Sequence, residues 1–330
     1  MKKNLVILFI LALSVTSAWA DIKASTTTAT RDILLFEEEN IDVLANVQVS
    51  EISKNDFHTS FITDREDGVY SSGERIVFTF KAEEDSYLTI LDFTPSGQIL
   101  VLFPNQWVSD NHIKVGQEVI IPAEGQNFSM RAGNVMGVDV VKAIATNKDV
   151  QIFNEDNKEL FGPFAKLQDP KAGTRDILLF AEDPDPNPDL DDPLKWSVAT
   201  VAVMTHGEGS DRATGFAAAK NETQSVQMWA NAANYLIGEN VFVKLLSNEP
   251  ATLVSLVNRG ASETENNLLP EGTKITVEAG EVLVLPRKDD KWKLVAASDT
   301  GIDVLVGKLT FADGSELELS LEVTVEEDED

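Results

Sequence analysis

The feature that most constrains the fold of this chain is an internal repeat. The heptapeptide TRDILLF occurs at Thr30–Phe36 and again at Thr174–Phe180. A Tyr-x-x-Gly-Glu motif that begins at Tyr70 recurs at Tyr235, 165 residues later. Matches in one order are the signature of a duplicated structural unit, because each copy must build the same core. The sequence therefore predicts two tandem modules, and it predicts that the heptapeptide repeats because the module repeats.

Further matches follow at offsets of 164 to 166 residues. They pair Leu102-Phe103-Pro104 with Leu268-Leu269-Pro270, Gly116 with Gly280, Pro122 with Pro286, Phe128 with Trp292, and Gly137-Val138-Asp139 with Gly301-Ile302-Asp303. We expect Gly73 and Gly238 of the repeated motif to supply turns that need a positive φ angle. We also expect Phe128 and Trp292 to be core aromatics.

Within each copy, apolar residues alternate with a period of two. The alternating residues are Ile76, Phe78 and Phe80 in the first copy and Val241, Val243 and Leu245 in the second. This period is typical of a strand with one buried face. Gly, Pro and Asn separate the short apolar runs, which is typical of sandwiches and barrels. The predicted fold class is all-β, with two tandem β-sandwich or barrel-like modules.

One stretch of the second copy departs from this alternation. Apolar residues recur with helical spacing between Ser225 and Ala233, namely Val226, Trp229, Ala230 and Ala233. Asn221 or Thr223 could cap a helix that starts there. The pattern predicts a short helix in the second module, with Trp229 packed in a core.

The first twenty residues have the pattern of a secretory signal peptide. Lys2 and Lys3 precede an apolar run, and Ala18-Trp19-Ala20 fits a cleavage site. The run is shorter than the roughly 20 residues that span a bilayer. We therefore expect an extracytoplasmic protein, periplasmic or secreted, with no transmembrane segment after cleavage.

The predicted domains are a signal peptide over residues 1–20, a first β module over 21–170 and a second, diverged module over 171–330. The second module carries an acidic, proline-rich insertion over 183–193 and an acidic tail at Glu326–Asp330. Oxygen-bearing residues stand at every second position of the insertion, namely Asp183, Asp185, Asn187, Asp189 and Asp191, and oxygen ligands at that spacing suit Ca²⁺. The intervening prolines favour an extended, solvated segment over a loop that wraps an ion.

Charge and cysteine content exclude several functions. The chain has 55 acidic and 27 basic residues, a net charge of −28, and no cysteine. Such a charge disfavours nucleic acid and anionic lipid and favours cations or a basic partner. Without cysteine there are no disulfides, no thiolate metal sites and no cysteine nucleophile.

The remaining residues form no recognisable catalytic motif. His58, His112 and His206 lack the spacing of a zinc site, and no Gly-x-Ser-x-Gly motif marks a nucleophile. A Ser-His-Asp triad remains open, because its members converge only in space. Glutamate and aspartate recur in both copies, as Glu74 with Glu239 and Asp139 with Asp303. Such pairs could serve a hydrolase or simply bond turn amides, and we predict no catalytic, cofactor or metal residue.

The first copy resembles a known bacterial family. The residues that carry the resemblance are Tyr70-x-x-Gly73-Glu74, Tyr87-Leu88-Thr89-Ile90-Leu91, Leu102-Phe103-Pro104-Asn105 and the step from Gly116 to Pro122. Over about residues 63–145 they are similar to the family named domain of unknown function 4384. Its members are commonly exported or appended to kinase-like or caspase-like domains, which implies an accessory role in sensing or interaction.

The second copy, over about residues 228–309, resembles the family as a diverged relative. Thr252 stands where the first copy has Tyr87, and Glu271 stands where it has Asn105. Taken together, the sequence predicts an exported, non-enzymatic accessory or scaffold protein that binds an envelope protein or polymer. A calcium-assembled surface-layer or adhesive component and a hydrolase that uses Glu74 and Asp139 are the alternatives.

Overall fold

The computed structural model describes residues 33–37, 54–126, 128–133, 137–182, 192–207, 215–259, 265–297 and 300–327. Most of these residues lie in β-strands, which confirms the all-β class. Among them, no helix is long and apolar enough to cross a bilayer. The predicted signal peptide and residues 183–191 of the acidic insertion lie outside the described residues.

The described residues of the N-terminal half form fourteen strands, one α-helix and a 3₁₀ helix at Glu155–Asn157. The strands and the α-helix are β1 (Ile33–Glu37), β2 (Thr59–Thr63), β3 (Val69–Ser71), β4 (Arg75–Ile76), β5 (Phe78–Ala82), β6 (Ser86–Phe93), β7 (Ile99–Phe103), β8 (His112–Ile113), β9 (Glu118–Ile121), β10 (Met130–Arg131), β11 (Gly137–Thr146), β12 (Lys158–Phe161), β13 (Phe164–Leu167), α1 (Pro170–Glu182) and β14 (Trp196–His206). We call the part built from β2 to β14 the N-terminal unit.

Twelve strands follow. They are β15 (Phe216–Lys220), β16 (Ser225–Ala230), β17 (Asn234–Leu236), β18 (Asn240–Val241), β19 (Val243–Ser247), β20 (Ala251–Arg259), β21 (Glu265–Asn267), β22 (Ile275–Val277), β23 (Val282–Leu285), β24 (Trp292–Ala296), β25 (Gly301–Phe311) and β26 (Glu316–Glu326). We call the part built from β15 to β26 the C-terminal unit.

The two units share one strand topology. In the N-terminal unit, β5 pairs with β2 and β9, and β6 lies between β7 and β11. Strand β14 lies between β11 and β3 and is parallel to β3. In the C-terminal unit, β19 pairs with β16 and β23, and β20 lies between β21 and β25. Strand β26 lies between β25 and β17 and is parallel to β17. Equivalent strands thus make equivalent pairs, as expected of a duplicated fold.

The predicted core positions are confirmed in both units. Phe80 and Leu245 lie at the centre of β5 and β19, and both are fully buried. Trp292 lies in the second core, and Phe128 packs partly buried against the first. The φ angles of Gly73 and Gly238 are +79° and +91°, as the turns require. Each unit therefore has its own core, built from equivalent positions.

The prediction that the heptapeptide repeats with the module is wrong. Its first copy contributes strand β1, which pairs with β24 of the C-terminal unit. Its second copy lies in helix α1, whose Ile177 and Phe180 are buried against the N-terminal unit. Asp169 caps this helix: its Oδ1 accepts the amides of Lys171 and Ala172 at 3.0 and 3.1 Å. Capping and tertiary packing decide the structure here, because intrinsic propensity is a weak preference.

The predicted helix at Ser225–Ala233 is also wrong. Residues Ser225–Ala230 form strand β16 at the centre of a sheet. Val226 and Met228 face the core of the C-terminal unit, and Trp229 faces the N-terminal unit. Because both faces of the strand are buried, its polar and apolar residues do not alternate cleanly, and the remaining pattern imitates a helical stripe.

An insertion separates β11 from β14 in the N-terminal unit. It comprises β12, β13 and α1, whereas a short turn over 312–315 joins the equivalent strands β25 and β26. The insertion shares an apolar cluster with one face of the first sheet, in which the rings of Phe180 on α1 and Trp196 on β14 lie 5.0 Å apart. Because β14 pairs with β11, the first sheet extends past the predicted domain boundary at residue 170. The division into domains otherwise stays a prediction.

The two units pack against each other through an apolar interface. The outer face of β11 and β14 contributes Val140, Ala202 and Met204. The outer face of β16, β19 and β23 contributes Trp229, Leu246, Val282 and Val284. The side chain of Gln227 also bonds the backbone of Ala202, accepting from its N–H at 3.2 Å and donating to its carbonyl at 3.0 Å.

Candidate functional site

One buried amide orders the loop between β7 and β8. The side chain of Asn105 is 8% exposed, and its Oδ1 accepts hydrogen bonds from the N–H groups of Trp107 and Val108, both at 3.0 Å. Its Nδ2 donates to the carbonyl of Leu102 at 3.0 Å. An amide that bonds both arms of a turn fixes its shape. The Leu-Phe-Pro-Asn motif therefore holds the loop that presents Trp107.

The β12–β13 hairpin of the insertion is joined to this loop. The side-chain Nε2 of Gln106 donates to the carbonyl of Gly162 at 2.9 Å, and the backbone N–H of Gln106 donates to the carbonyl of Pro163 at 3.3 Å. Gln106 adjoins Trp107 in the chain, and Gly162 adjoins Phe161. The bonds thus bring two aromatic residues from distant parts of the sequence to one end of the unit.

Three large apolar side chains are exposed at this end. Trp107 is 51% exposed, Leu160 is 79% exposed and Phe161 is 49% exposed. Leu160 and Phe161 are consecutive in β12, so their side chains lie on opposite faces of the hairpin. We call Trp107, Leu160 and Phe161 together the tip patch. Lys166 lies at its margin, with its Nζ 5.9 Å from the Phe161 ring centroid and 2.8 Å from Glu159. Exposed large apolar side chains with charged neighbours are common at protein-binding surfaces.

The described residues of the N-terminal unit line a small cavity and an open cleft. The small cavity, of about 90 Å³, lies under the Asn105 loop and is lined in part by Val108, Asp110 and His112. The open cleft, of about 460 Å³, is lined in part by His58, Ser60, Lys81, Glu83 and Val115. Neither Glu74 nor Asp139 lines them.

Two carboxylates meet inside the N-terminal unit. Asp92 faces Val141 across the β6–β11 pair, so Asp139, two residues before Val141, lies diagonally on the same face. Burial, and then the charge of Asp139, raise the pKa of Asp92 well above its ordinary value. Burial raises the pKa of Asp139 to about 7. The Oδ1 of Asp92 is buried without a hydrogen-bond partner among the described residues. The pair therefore favours retention of a proton near neutral pH.

The C-terminal unit has a related pair at the equivalent positions. Asn258 faces Leu305 across the β20–β25 pair, and Asp303 precedes Leu305 by two residues. Both side chains are buried. An amide thus replaces one of the two carboxylates. The sequence repeat singled out Asp139 and Asp303 as acids common to both copies, but it missed Asp92. The signal for Asp92 is its spacing: it follows the buried Leu88 and Ile90 at every second position of β6, so it faces the core.

A fully buried lysine lies between the two units. Lys142 on β11 is 0% exposed, and its Nζ donates to Oγ1 of Thr200 at 3.2 Å. Burial lowers the pKa of Lys142 to about 7, while the charge of Glu281 from the C-terminal unit acts in the opposite direction. Sequence reasoning did not single out this residue.

The repeated glutamates close equivalent turns. The Oε2 of Glu74 accepts the N–H of Ser71 at 2.9 Å, and the Oε2 of Glu239 accepts the N–H of Leu236 at 2.9 Å. Glu74 also pairs with Arg65. This is the turn-amide role that the sequence left open, and it explains why both copies have glutamate.

The three histidines lie apart. His58 is exposed at the open cleft, and the ring of His112 contacts that of Tyr87 at 5.0 Å. His206 has its Nε2 3.4 Å from Oγ of Ser71, 135 residues away in the chain, and its Nδ1 3.1 Å from the carbonyl of Gly207. That carbonyl occupies the place that a carboxylate takes in a Ser-His-Asp triad.

In the described part of the chain, no three acidic or histidine side chains form a group that could hold a metal ion. The alternating aspartates of the predicted insertion, Asp183 to Asp191, lie outside the described residues. The calcium alternative therefore stays a prediction.

Solved structures that resemble this chain include three distant likenesses. Escherichia coli alpha-2-macroglobulin activated by porcine elastase is 8% identical with a TM-score of 0.22; the match covers 83% of this chain and 22% of that one. Salmonella alpha-2-macroglobulin is 9% identical with a TM-score of 0.23, over 83% and 17%. The Yersinia pseudotuberculosis adhesin InvE is 8% identical with a TM-score of 0.19, over 80% and 58%. No function is transferred from such values.

Comparison with curated protein sequences gives no match. One family model matches, and it covers residues 69–149. These residues contain strands β3 to β11, the Asn105 loop and the Asp92–Asp139 pair. Extension of the family to the C-terminal unit stays a prediction, which the shared topology supports. Over residues 69–149, the chain matches the family described as domain of unknown function (DUF4384), as its motifs predict.

Proposed function

We propose that this chain is an exported accessory or scaffold protein that binds an envelope protein or polymer through the tip patch, without catalysis. The observation that carries the proposal is the joint exposure of Trp107, Leu160 and Phe161 at one end of the N-terminal unit. Large aromatic side chains contribute strongly to binding because they bury much apolar area at a small entropic cost.

The loop and hairpin that present the tip patch are held by hydrogen bonds. Asn105 fixes the loop, and Gln106 ties it to the hairpin. A surface that is ordered before binding loses less conformational entropy on binding. The net charge of −28 favours a partner that is neutral or basic.

The contacts of the repeated carboxylates support a role without catalysis. Glu74 and Glu239 each bond a turn amide, and Asp139 lies beside Asp92. A hydrolase that uses Glu74 and Asp139 would need both in one accessible cleft.

The test is affinity capture from envelope extracts and on purified envelope polymers, with the full chain as bait. Trp107→Ala and Phe161→Ala should each reduce capture at least tenfold. The matched control is Leu179→Ala, because Leu179 on α1 is 55% exposed and lies outside the tip patch. Equal capture by all four proteins, or no capture at low salt, would reject the proposal.

A further inference from the structure

The interface between the two units uses one face of each. We call the outer face of β11 and β14, and the outer face of their equivalents β25 and β26, the long-sheet faces. We call the outer face of β2, β5 and β9, and that of their equivalents β16, β19 and β23, the short-sheet faces. Within the chain, the long-sheet face of the N-terminal unit covers the short-sheet face of the C-terminal unit. The two remaining faces are the long-sheet face of the C-terminal unit and the short-sheet face of the N-terminal unit.

The remaining short-sheet face has an exposed apolar row. Ile62 and Ile120 both face Thr79 across the strands, and they are 55% and 41% exposed. Strand register places Ile62 at the position of Trp229 and Ile120 at that of Val284. Trp229 and Val284 are both buried in the interface between the units. The exposed row thus corresponds to positions that a sheet covers elsewhere in the same chain.

The remaining long-sheet face also keeps apolar residues at the contact positions. Ile302, at the position of Val138, is 57% exposed, and Val304, at the position of Val140, is half-buried. In the N-terminal unit the insertion covers part of this face. Among the described residues, the turn over 312–315 takes the place of the insertion in the C-terminal unit, so a partner sheet has access there.

Where the two remaining faces differ from the faces buried within the chain, their polar residues are complementary. Within the chain, Ala202 bonds Gln227, which pairs across the strands with Leu246. Register places Glu322 at the position of Ala202, Ser60 at that of Gln227, and Lys81 at that of Leu246. Docking in the same way would bring the Glu322 carboxylate next to the hydroxyl of Ser60 and the ammonium of Lys81.

From these relations we propose that a second copy of this chain docks its C-terminal long-sheet face on the N-terminal short-sheet face of the first. The contact repeats between chains the interface that joins the units within a chain. It is head-to-tail, since the two surfaces differ, so each added copy leaves one face of each kind free. Association therefore proceeds to open-ended chains of copies. The contact between copies would bury both polar and apolar residues, which is typical of interfaces that form reversibly.

The test is the mass of the purified full chain, measured by light scattering and sedimentation over a range of concentrations. Because the net charge of −28 opposes association, the measurement is made at low and at high salt. The average mass should rise continuously with concentration. Ile62→Asp blocks one face and Ile302→Asp blocks the other, so each variant alone should be monomeric. Both side chains are more than half exposed, so each variant should keep the wild-type melting temperature.

Mixing the two variants gives the decisive result. Each retains the face that the other has lost, so an equimolar mixture should form dimers and nothing larger. Leu179→Asp, at an equally exposed position away from both faces, should associate as the wild type does. A monomeric wild type at both salt concentrations would overturn the proposal, and so would a mixture that stays monomeric. Tip-patch variants should self-associate normally, which separates this outcome from failure of the proposed function.

Discussion

Asp92 and Asp139 lie diagonally across the β6–β11 pair and share one buried environment. Their equivalents in the C-terminal unit are Asn258 and Asp303. One fold thus has two versions of the same buried polar pair, with two carboxylates in one unit and one in the other. The difference allows each unit to serve as the control for the other.

Asp92→Asn should make the protein more stable at neutral and alkaline pH. Because both pKa values are raised, that of Asp139 to about 7, the folded state binds more protons than the unfolded state above about pH 4, and stability falls as pH rises from there through neutral pH. An amide removes the repulsion, and we expect a gain of about 1–3 kcal/mol at pH 8 and a flatter pH profile. Urea unfolding at a series of pH values measures both.

The reciprocal variant, Asn258→Asp, should create the same behaviour in the C-terminal unit. It places a second carboxylate beside the buried Asp303, so it should lower stability above neutral pH and leave stability in acid nearly unchanged. If the free energy of unfolding changed with pH in the same way in Asp92→Asn and Asn258→Asp, the buried pair would not be the source of the pH dependence.

Lys142→Met should stabilise the packing of the two units. Burial lowers the pKa of Lys142 to about 7, so the unfolded state binds more protons between about pH 7 and 10 and stability rises with pH over that interval. Replacement by a chain of similar length removes this slope and should add about 1–2 kcal/mol below neutral pH. The control is Lys54→Met, since Lys54 is an exposed lysine near the start of the N-terminal unit. A loss of stability in Lys142→Met would show that its bonds outweigh the cost of burying the charge.

The strands of the two cores could be predicted because each has one buried face. Phe78 and Phe80 face the core while Thr79 between them is half-buried, and Val243, Lys244 and Leu245 repeat the pattern. Strand β16 could not be predicted in this way, because Met228 and Trp229 are both buried, on opposite faces. Alternation is lost wherever a sheet is covered on both sides.

The tip patch could not be found from the repeat. Leu160 and Phe161 belong to an insertion without a counterpart in the second copy, and their proximity to Trp107 depends on a hydrogen bond between Gln106 and Gly162. Of the two segments that form the tip patch, the Asn105 loop lies within the residues that match the family, and the hairpin lies outside them. Contacts between segments so far apart in the chain follow from the tertiary structure and leave no local pattern.

Asn105→Ala should loosen the loop that presents Trp107. The change removes three hydrogen bonds of a buried amide and should cost about 1–3 kcal/mol. Amide hydrogen exchange at Trp107 and Val108 should become faster, and capture of the partner should weaken. Asn105→Asp keeps the Oδ1 acceptor and loses only the donor to Leu102, so its exchange rates should lie between those of the wild type and Asn105→Ala. Unchanged exchange in Asn105→Ala would show that other contacts order the loop.

Residues 33–36 of the first heptapeptide lie in strand β1, whereas the second heptapeptide lies in helix α1, and the residue before α1 accounts for part of the difference. Asp169 accepts two amides of the first helical turn, and Pro170 follows it at a position where a missing N–H is harmless. Asp169→Ala should lower the free energy of unfolding by about 1 kcal/mol and speed amide exchange in the first turn of α1. Asp169→Asn keeps an accepting oxygen and should retain most of that stability. The same loss in both variants would mean that charge, and not capping, stabilises the helix; no loss in either would leave packing of Ile177 and Phe180 as the sole determinant.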